Sequence, residues 1–78
     1  MKPVSPVPLK QVESKAIKAF GYMPEKKTLI VEFHSGDLFA YANVSAKEHA
    51  ALEGAESIGK WFAKHIRANA KLHPVRKL

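Results

Sequence analysis

The stretch Thr28-Leu-Ile-Val-Glu-Phe-His34, with Ser35-Gly36-Asp37 and Leu38-Phe-Ala-Tyr-Ala-Asn43 behind it, limits the fold more than any other part of the chain. Its first seven residues alternate. Leu29, Val31 and Phe33 share one side, and Thr28, Ile30, Glu32 and His34 share the other, the period-two pattern of a strand. Ser35-Gly36-Asp37 is a tight hairpin in which Gly36 can adopt positive φ. On the returning strand Leu38, Ala40 and Ala42 take one side, and Phe39 and Tyr41 the other. A hairpin this apolar must be covered, and 78 residues supply one modest core to cover it.

The flanking segments suit that need. Val12 to Tyr22 is ambiguous between strand and helix at its start, but it ends in Phe20-Gly21-Tyr22 and reads as a strand over about 16–22. Met23-Pro24-Glu25-Lys26-Lys27 then supplies a turn, with φ pre-set at Pro24. The result is a three-stranded antiparallel meander. Ahead of it, residues 1–11 hold Pro3, Pro6 and Pro8, which remove backbone donors and favour extended conformations, so this stretch is expected to be a flexible arm.

Behind the meander, Ser45-Ala-Lys-Glu48 is a capping box that opens a short helix, and Gly54 is its natural stop. Ser57 caps a second helix, expected to run to Leu72 and to be ended by Pro74. Gly59 in its first turn costs roughly 1 kcal/mol relative to Ala, which points to close packing there. The order is β-β-β-α-α, an α+β fold with both helices on one sheet face. The expected division is an arm at 1–11, a single domain at 12–73 and a basic tail at 74–78.

The second helix carries the functional signal. Ile58, Trp61, Phe62, Ile66 and Leu72 fall on one arc, while Lys60, Lys64, Arg67 and Lys71 form a stripe almost opposite. From Ser57 onward there are six Lys and Arg, counting Arg76 and Lys77, and no Asp or Glu. The other seven Lys and Arg balance all seven acids, so the net charge of +6 resides in the last third. A cationic stripe suits a polyanion, although Lys and Arg on the outer face of an amphipathic helix can also be simply solvated.

Phe39 and Tyr41 have two possible placements. They can stack on unpaired bases beside the basic element, or they can pack with Trp61 and Phe62 as core. The second is the economical choice for a chain with seven aromatic residues. It requires a register that puts Phe39 and Tyr41 on the same side as Leu29, Val31 and Phe33.

Other chemistries find little support. There is no cysteine, so disulfides and thiolate zinc sites are excluded. His34, His49, His65 and His73 include no i, i+4 pair, and no metal site or cofactor is expected. His65 reads as a partly buried histidine on the apolar arc, and His34 as a surface partner of Asp37. Serines 5, 14, 35, 45 and 57 each have a capping, turn or linker role, and no phosphate loop or acid pair appears, so the chain is not expected to be an enzyme. The N-terminus shows no apolar leader and no run reaches membrane-spanning length, which makes a cytoplasmic protein the expectation.

Taken in order, Ile17-Lys-Ala-Phe-Gly-Tyr, Thr28-Leu-Ile-Val-Glu-Phe, Ser35-Gly-Asp-Leu-Phe-Ala-Tyr41 and Gly59-Lys-Trp-Phe-Ala-Lys-His-Ile-Arg67 resemble the KTSC domain over about residues 12–73. That family occurs alone in bacterial and phage-type proteins and at the C-terminus of some lysyl-tRNA synthetases. Its central Tyr-x-Tyr stands here as Phe39-Ala40-Tyr41, without the first hydroxyl. Its Gly-x-aromatic-Phe-Asn stands as Gly59-Lys60-Trp61-Phe62-Ala63, with Ala for Asn. The synthetase link implies RNA ahead of DNA. The expected function is therefore a nucleic-acid-binding module of low sequence selectivity, with Lys60, Lys64, Arg67, Lys71, Arg76 and Lys77 on phosphates and Phe39 and Tyr41 on bases. The alternative is a protein-interaction module whose basic stripe meets an acidic host protein. Membrane binding is not expected, because the fold itself uses the apolar face.

Overall fold

The computed structural model describes residues 7–69 and 71–78, and in them the hairpin is the middle of a five-stranded antiparallel sheet. In chain order the elements are β1 (Lys10–Gln11), β2 (Ile17–Met23), β3 (Thr28–Phe33), β4 (Leu38–Tyr41), α1 (Ala46–Glu53), α2 (Ile58–His65), a 3-10 turn (Arg67–Asn69) and β5 (Val75–Lys77). The strands lie side by side in that same order. The α+β class, the central meander and the two helices follow the sequence reading. The sheet has five strands rather than three, because a short strand joins each edge.

Gly36 turns the hairpin at φ +93° and donates its N–H to the Phe33 carbonyl at 2.9 Å. Phe33 in turn donates to the Asp37 carbonyl at 3.1 Å. This closure pairs Val31 with Phe39 and Leu29 with Tyr41. Directly opposed residues share a face, so the two apolar sets point the same way. Phe20 and Tyr22 join them by pairing with Val31 and Leu29.

Both helices cover that face. Leu52 from α1, Phe62 from α2 and Ile66 just beyond it are buried with Ile17, Phe20, Leu29, Val31, Tyr41 and Val44. Phe62 meets Tyr41 edge-to-face at 5.0 Å and Phe33 at 6.0 Å. Full burial of such side chains is worth about 1.5–3 kcal/mol each, and this cluster is the main core.

The opposite face buries Ile30, Leu38 and Ala40 beneath Val7, Leu9 and Leu78. Residues 1–6 of the expected arm lie outside the described residues. From Val7 onward the arm is a strap across the sheet, anchored where Lys10 and Gln11 pair with Phe20 and Ala19. A Cβ at Gly21 would stand 2.7 Å from the Pro8 carbonyl oxygen, so glycine is what lets the strap lie this close.

The helix starts are as the sequence implies. Ser45 Oγ accepts the Glu48 N–H at 3.1 Å, and Glu48 Oε1 accepts the Ser45 N–H at 3.2 Å. Ser57 Oγ accepts the Lys60 N–H at 3.4 Å. Gly59 does pack closely, since a Cβ there would lie 3.0 Å from Ser14 Oγ.

The end of the second helix differs from expectation. α2 stops at His65, not Leu72. The Asn69 side-chain amide donates to the His65 carbonyl at 2.9 Å, satisfying one of the carbonyls left free at a helix end. Beyond the 3-10 turn, His73 is buried, with Nδ1 3.1 Å from the Ala42 carbonyl oxygen. A helix continued through Leu72 would forfeit that anchor. The expected basic tail also becomes structure. Val75, Arg76 and Lys77 pair with Tyr41, Ala40 and Phe39, so the tail supplies β4 with hydrogen-bond partners along its outer edge.

Candidate nucleic-acid interface

The break after His65 divides the expected stripe. Lys60 and Lys64 remain one turn apart on the outer side of α2, opposite Phe62, and both are exposed. Lys64 also lies in the last helical turn, where a cation suits the helix dipole. Arg67 opens the 3-10 turn and Lys71 lies in the bend before His73, both exposed. Arg76 shares the other sheet face with Ala40. Lys77 is on the helix-covered side, with Nζ 3.7 Å from Asp37 Oδ1. The six cations are therefore not one row. Lys60, Lys64, Arg67 and Lys71 follow α2 and the turn beyond it, and Arg76 and Lys77 stand apart.

Among the described residues, Lys60, Lys64, Arg67, Lys71 and Arg76 have no acidic partner. The ion pairs present are Lys10–Glu53 and Lys77–Asp37, and the rings of His49 and His73 lie 2.9 and 3.0 Å from carboxylate oxygens of Glu53 and Glu48. Glu53, Glu48 and Asp37 are the acids in those contacts, and none of them pairs with these five cations, which stay available to an external anion.

Arg67 sits on a cleft. About 290 Å³ in volume, it lies between the 3-10 turn and the β3–β4–β5 side of the sheet, lined by Phe33, Phe39, Tyr41, Arg67, His73 and Val75. Phe33 and Phe39 are half-buried and meet edge-to-face at 5.5 Å. Tyr41 is nearly enclosed, at 6% exposure. Neither Phe39 nor Tyr41 forms an open stacking platform. The register drew both into the wall between core and cleft. Burial pushes the Tyr41 hydroxyl pKa up, and the Arg67 charge pulls it the other way, so the guanidinium acts electrostatically on that hydroxyl.

Two histidines differ from the sequence reading. His65 is exposed and lies against Trp61, with ring centroids 4.5 Å apart. His34 Nε2 donates to the Ser14 carbonyl at 2.6 Å rather than meeting Asp37. The buried histidine is His73. Its Nε2 lies 3.0 Å from Glu48 Oε2, at ion-pair distance but out of line for a hydrogen bond. Glu48 thus serves the capping box with one oxygen and faces His73 with the other. His73 and Val75 were not anticipated as site residues, and no local pattern marks them. Phe33 was legible only as a partner of Phe39 once the hairpin register was known.

Among the described residues no group of three His, Asp or Glu could hold a metal ion, and no helix is long and apolar enough to cross a membrane.

Comparison with known proteins agrees with this architecture. A profile of the KTSC domain matches residues 13–69. A lysine–tRNA ligase from Nostoc sp. is 38% identical over 64 residues, covering 82% of this chain and 11% of the ligase. The lysine–tRNA ligase of Nostoc punctiforme is 36% identical over 64 residues, with the same coverage. This chain therefore spans about a tenth of the length of those enzymes. An uncharacterized protein from Stutzerimonas stutzeri is 39% identical over 51 residues, which is 65% of this chain and 72% of that one. The crystal structure of a KTSC domain protein from Yersinia pestis superposes with a TM-score of 0.83 at 25% identity, covering 91% of this chain and 96% of that one. The chain belongs to the KTSC domain family.

Proposed function

We propose that this protein is a small, non-enzymatic, cytoplasmic RNA-binding module that grips the phosphate backbone through Lys60, Lys64, Arg67 and Lys71. The observation behind this reading is the run of cations without acidic partners along α2 and the following turn, ending at an aromatic cleft. RNA takes precedence over DNA because two relatives are enzymes named for tRNA. Selectivity for sequence is low, since point charges on phosphates position a strand without reading base edges. Arg76, on the far face, and Lys77, engaged with Asp37, contribute less than the charge count alone suggests.

The test is a salt-dependent anisotropy titration with labelled RNA. About four phosphate contacts give a slope of log affinity against log salt near −3 for a single strand. The variant K60E/K64E/R67E, altered only at exposed positions, should keep its circular dichroism and lose binding. Unchanged affinity in that folded variant would refute the proposal.

A protein partner is the second reading. Leu72 and Val75 are 60% and 48% exposed beside the same cations, the mixture of apolar and basic surface that an acidic protein would meet. Capture of a partner that survives nuclease treatment, with no RNA binding at low salt, would favour it.

A further inference from the structure

Two polar groups without a partner among the described residues line the cleft beside β4. Tyr41 keeps only 6% of its surface exposed, yet among the described residues its hydroxyl has no hydrogen-bond partner. The other tyrosine has one, since the Tyr22 hydroxyl donates to the Val44 carbonyl, whereas the Tyr41 ring is enclosed and its hydroxyl is left to the cleft. Arg67 likewise has no ion pair or hydrogen bond among the described residues. Both groups line the cleft, together with Phe33, Phe39, Val75 and the buried His73. One end of the ligand that fits must therefore be an acceptor, preferably anionic, and the other flat and apolar.

Size narrows the choice. At about 290 Å³ the cleft is at the lower limit of small-molecule pockets, which begin near 300 Å³. A duplex, with its bases stacked inside, has nothing to insert. A single unstacked base does.

We infer that the cleft holds one splayed nucleotide of a single-stranded RNA, its base against Phe33 and Phe39 and its phosphate or sugar oxygens on Arg67 and the Tyr41 hydroxyl. Arg67 supplies a planar fork of donors suited to phosphate, and Tyr41 adds one O–H donor. The inference rests on the RNA-binding reading and deepens it. Lys60 and Lys64 take phosphates from any strand, whereas the cleft distinguishes a strand with free bases from one without.

The test compares three labelled probes with equal numbers of phosphates: a single-stranded RNA, an abasic strand and a blunt RNA duplex. The single strand should bind about tenfold more tightly than the abasic strand, the effect of one base held against aromatic rings. Tyr41→Phe removes only the hydroxyl, and Arg67→Gln changes only an exposed residue. Each should cut single-strand binding several-fold, and Tyr41→Phe should weaken the abasic strand less, because without a base against Phe33 and Phe39 the nucleotide is not held in the cleft. Thermal unfolding confirms that both variants are folded. Equal affinity for all three probes, abolished by K60E/K64E, would overturn the cleft and leave RNA binding intact. No binding of any probe would overturn both.

Discussion

Gly21 lies in the middle of β2, where every ordinary preference favours a residue with a side chain. On propensity alone, Gly21→Ala should stabilise a strand interior by roughly 0.5–1 kcal/mol. The structure reverses the sign. The new Cβ would lie 2.7 Å from the Pro8 carbonyl oxygen and 3.0 Å from Leu9 Cδ2 and Val7 Cγ2, where ordinary contact begins at 3.4 Å. The two side chains can rotate away, but the carbonyl belongs to a backbone pinned two residues later by the Lys10–Phe20 pair. The strap must lift, and what it contributes sets a ceiling on the cost. Val7 and Leu9 are half-buried, so each contributes about 1 kcal/mol, half the value of full burial. The β1 ladder is only two residues long and adds about as much again. After the propensity gain is subtracted, the net loss is about 1–2.5 kcal/mol, or roughly 4–8 °C in Tm for each kcal/mol in a domain this small. Urea unfolding measures the loss, and amide exchange should show it concentrated in β1 and in Val12, whose N–H donates to the Lys18 carbonyl. The decisive control is the same substitution in a chain lacking residues 1–9. There Gly21→Ala should be neutral or mildly stabilising. An equal cost in both backgrounds would refute the strap as the cause.

Two further outcomes follow from buried polar groups. Burial raises the Tyr41 hydroxyl pKa, offset in part by Arg67, and desolvation followed by the Glu48 charge raises that of Tyr22. A raised folded value favours the neutral phenol, so stability is intact below the unfolded pKa of 10.0 and falls as pH rises through the folded value. Melts between about pH 9 and pH 11 should therefore fall less steeply for Tyr41→Phe than for the parent, and parallel curves would contradict the assignment. His73→Ala removes a buried ring, deprives the Ala42 carbonyl of its partner and leaves Glu48 Oε2 without its counterpart. Chemical unfolding should show a loss of about 2–4 kcal/mol, with the amides of β5 losing protection first. Uniform loss across the sheet would mean that His73 does not specifically anchor β5.

What could be read from the sequence was local. The hairpin needs only Gly36 and the alternation around it. The capping box needs four consecutive residues, and Gly59 betrays its close neighbour by breaking helix propensity. The register was not fixed by the alternation: Phe39 and Tyr41 join Leu29, Val31 and Phe33 on one face because the closed hairpin pairs Val31 with Phe39 and Leu29 with Tyr41. The two edge strands were not legible. β1 has two residues and β5 three, too few to show a period, and Pro8 and Pro74 beside them read as breakers rather than as residues tolerated at a sheet edge.

The length of α2 is the most instructive failure, because the pattern continues past the point where the helix ends. Lys64, Arg67 and Lys71 keep helical spacing with Lys60, and neither Ala68 nor Ala70 opposes a helix. The stop comes from outside the segment. His73 gains the Ala42 carbonyl and the Glu48 carboxylate only if the chain turns back, and Val75 to Lys77 reach β4 only by the same route. Those long-range gains exceed what one more helical turn would add, and the Asn69 amide on the His65 carbonyl eases the helix end. The site depends on that competition. In a helix continued through Leu72, Arg67 would be one more solvated cation in a row. In the structure it lines the cleft with Tyr41, whose hydroxyl has no partner of its own. The tertiary contact that breaks the helical stripe is therefore also the one that assembles the cleft.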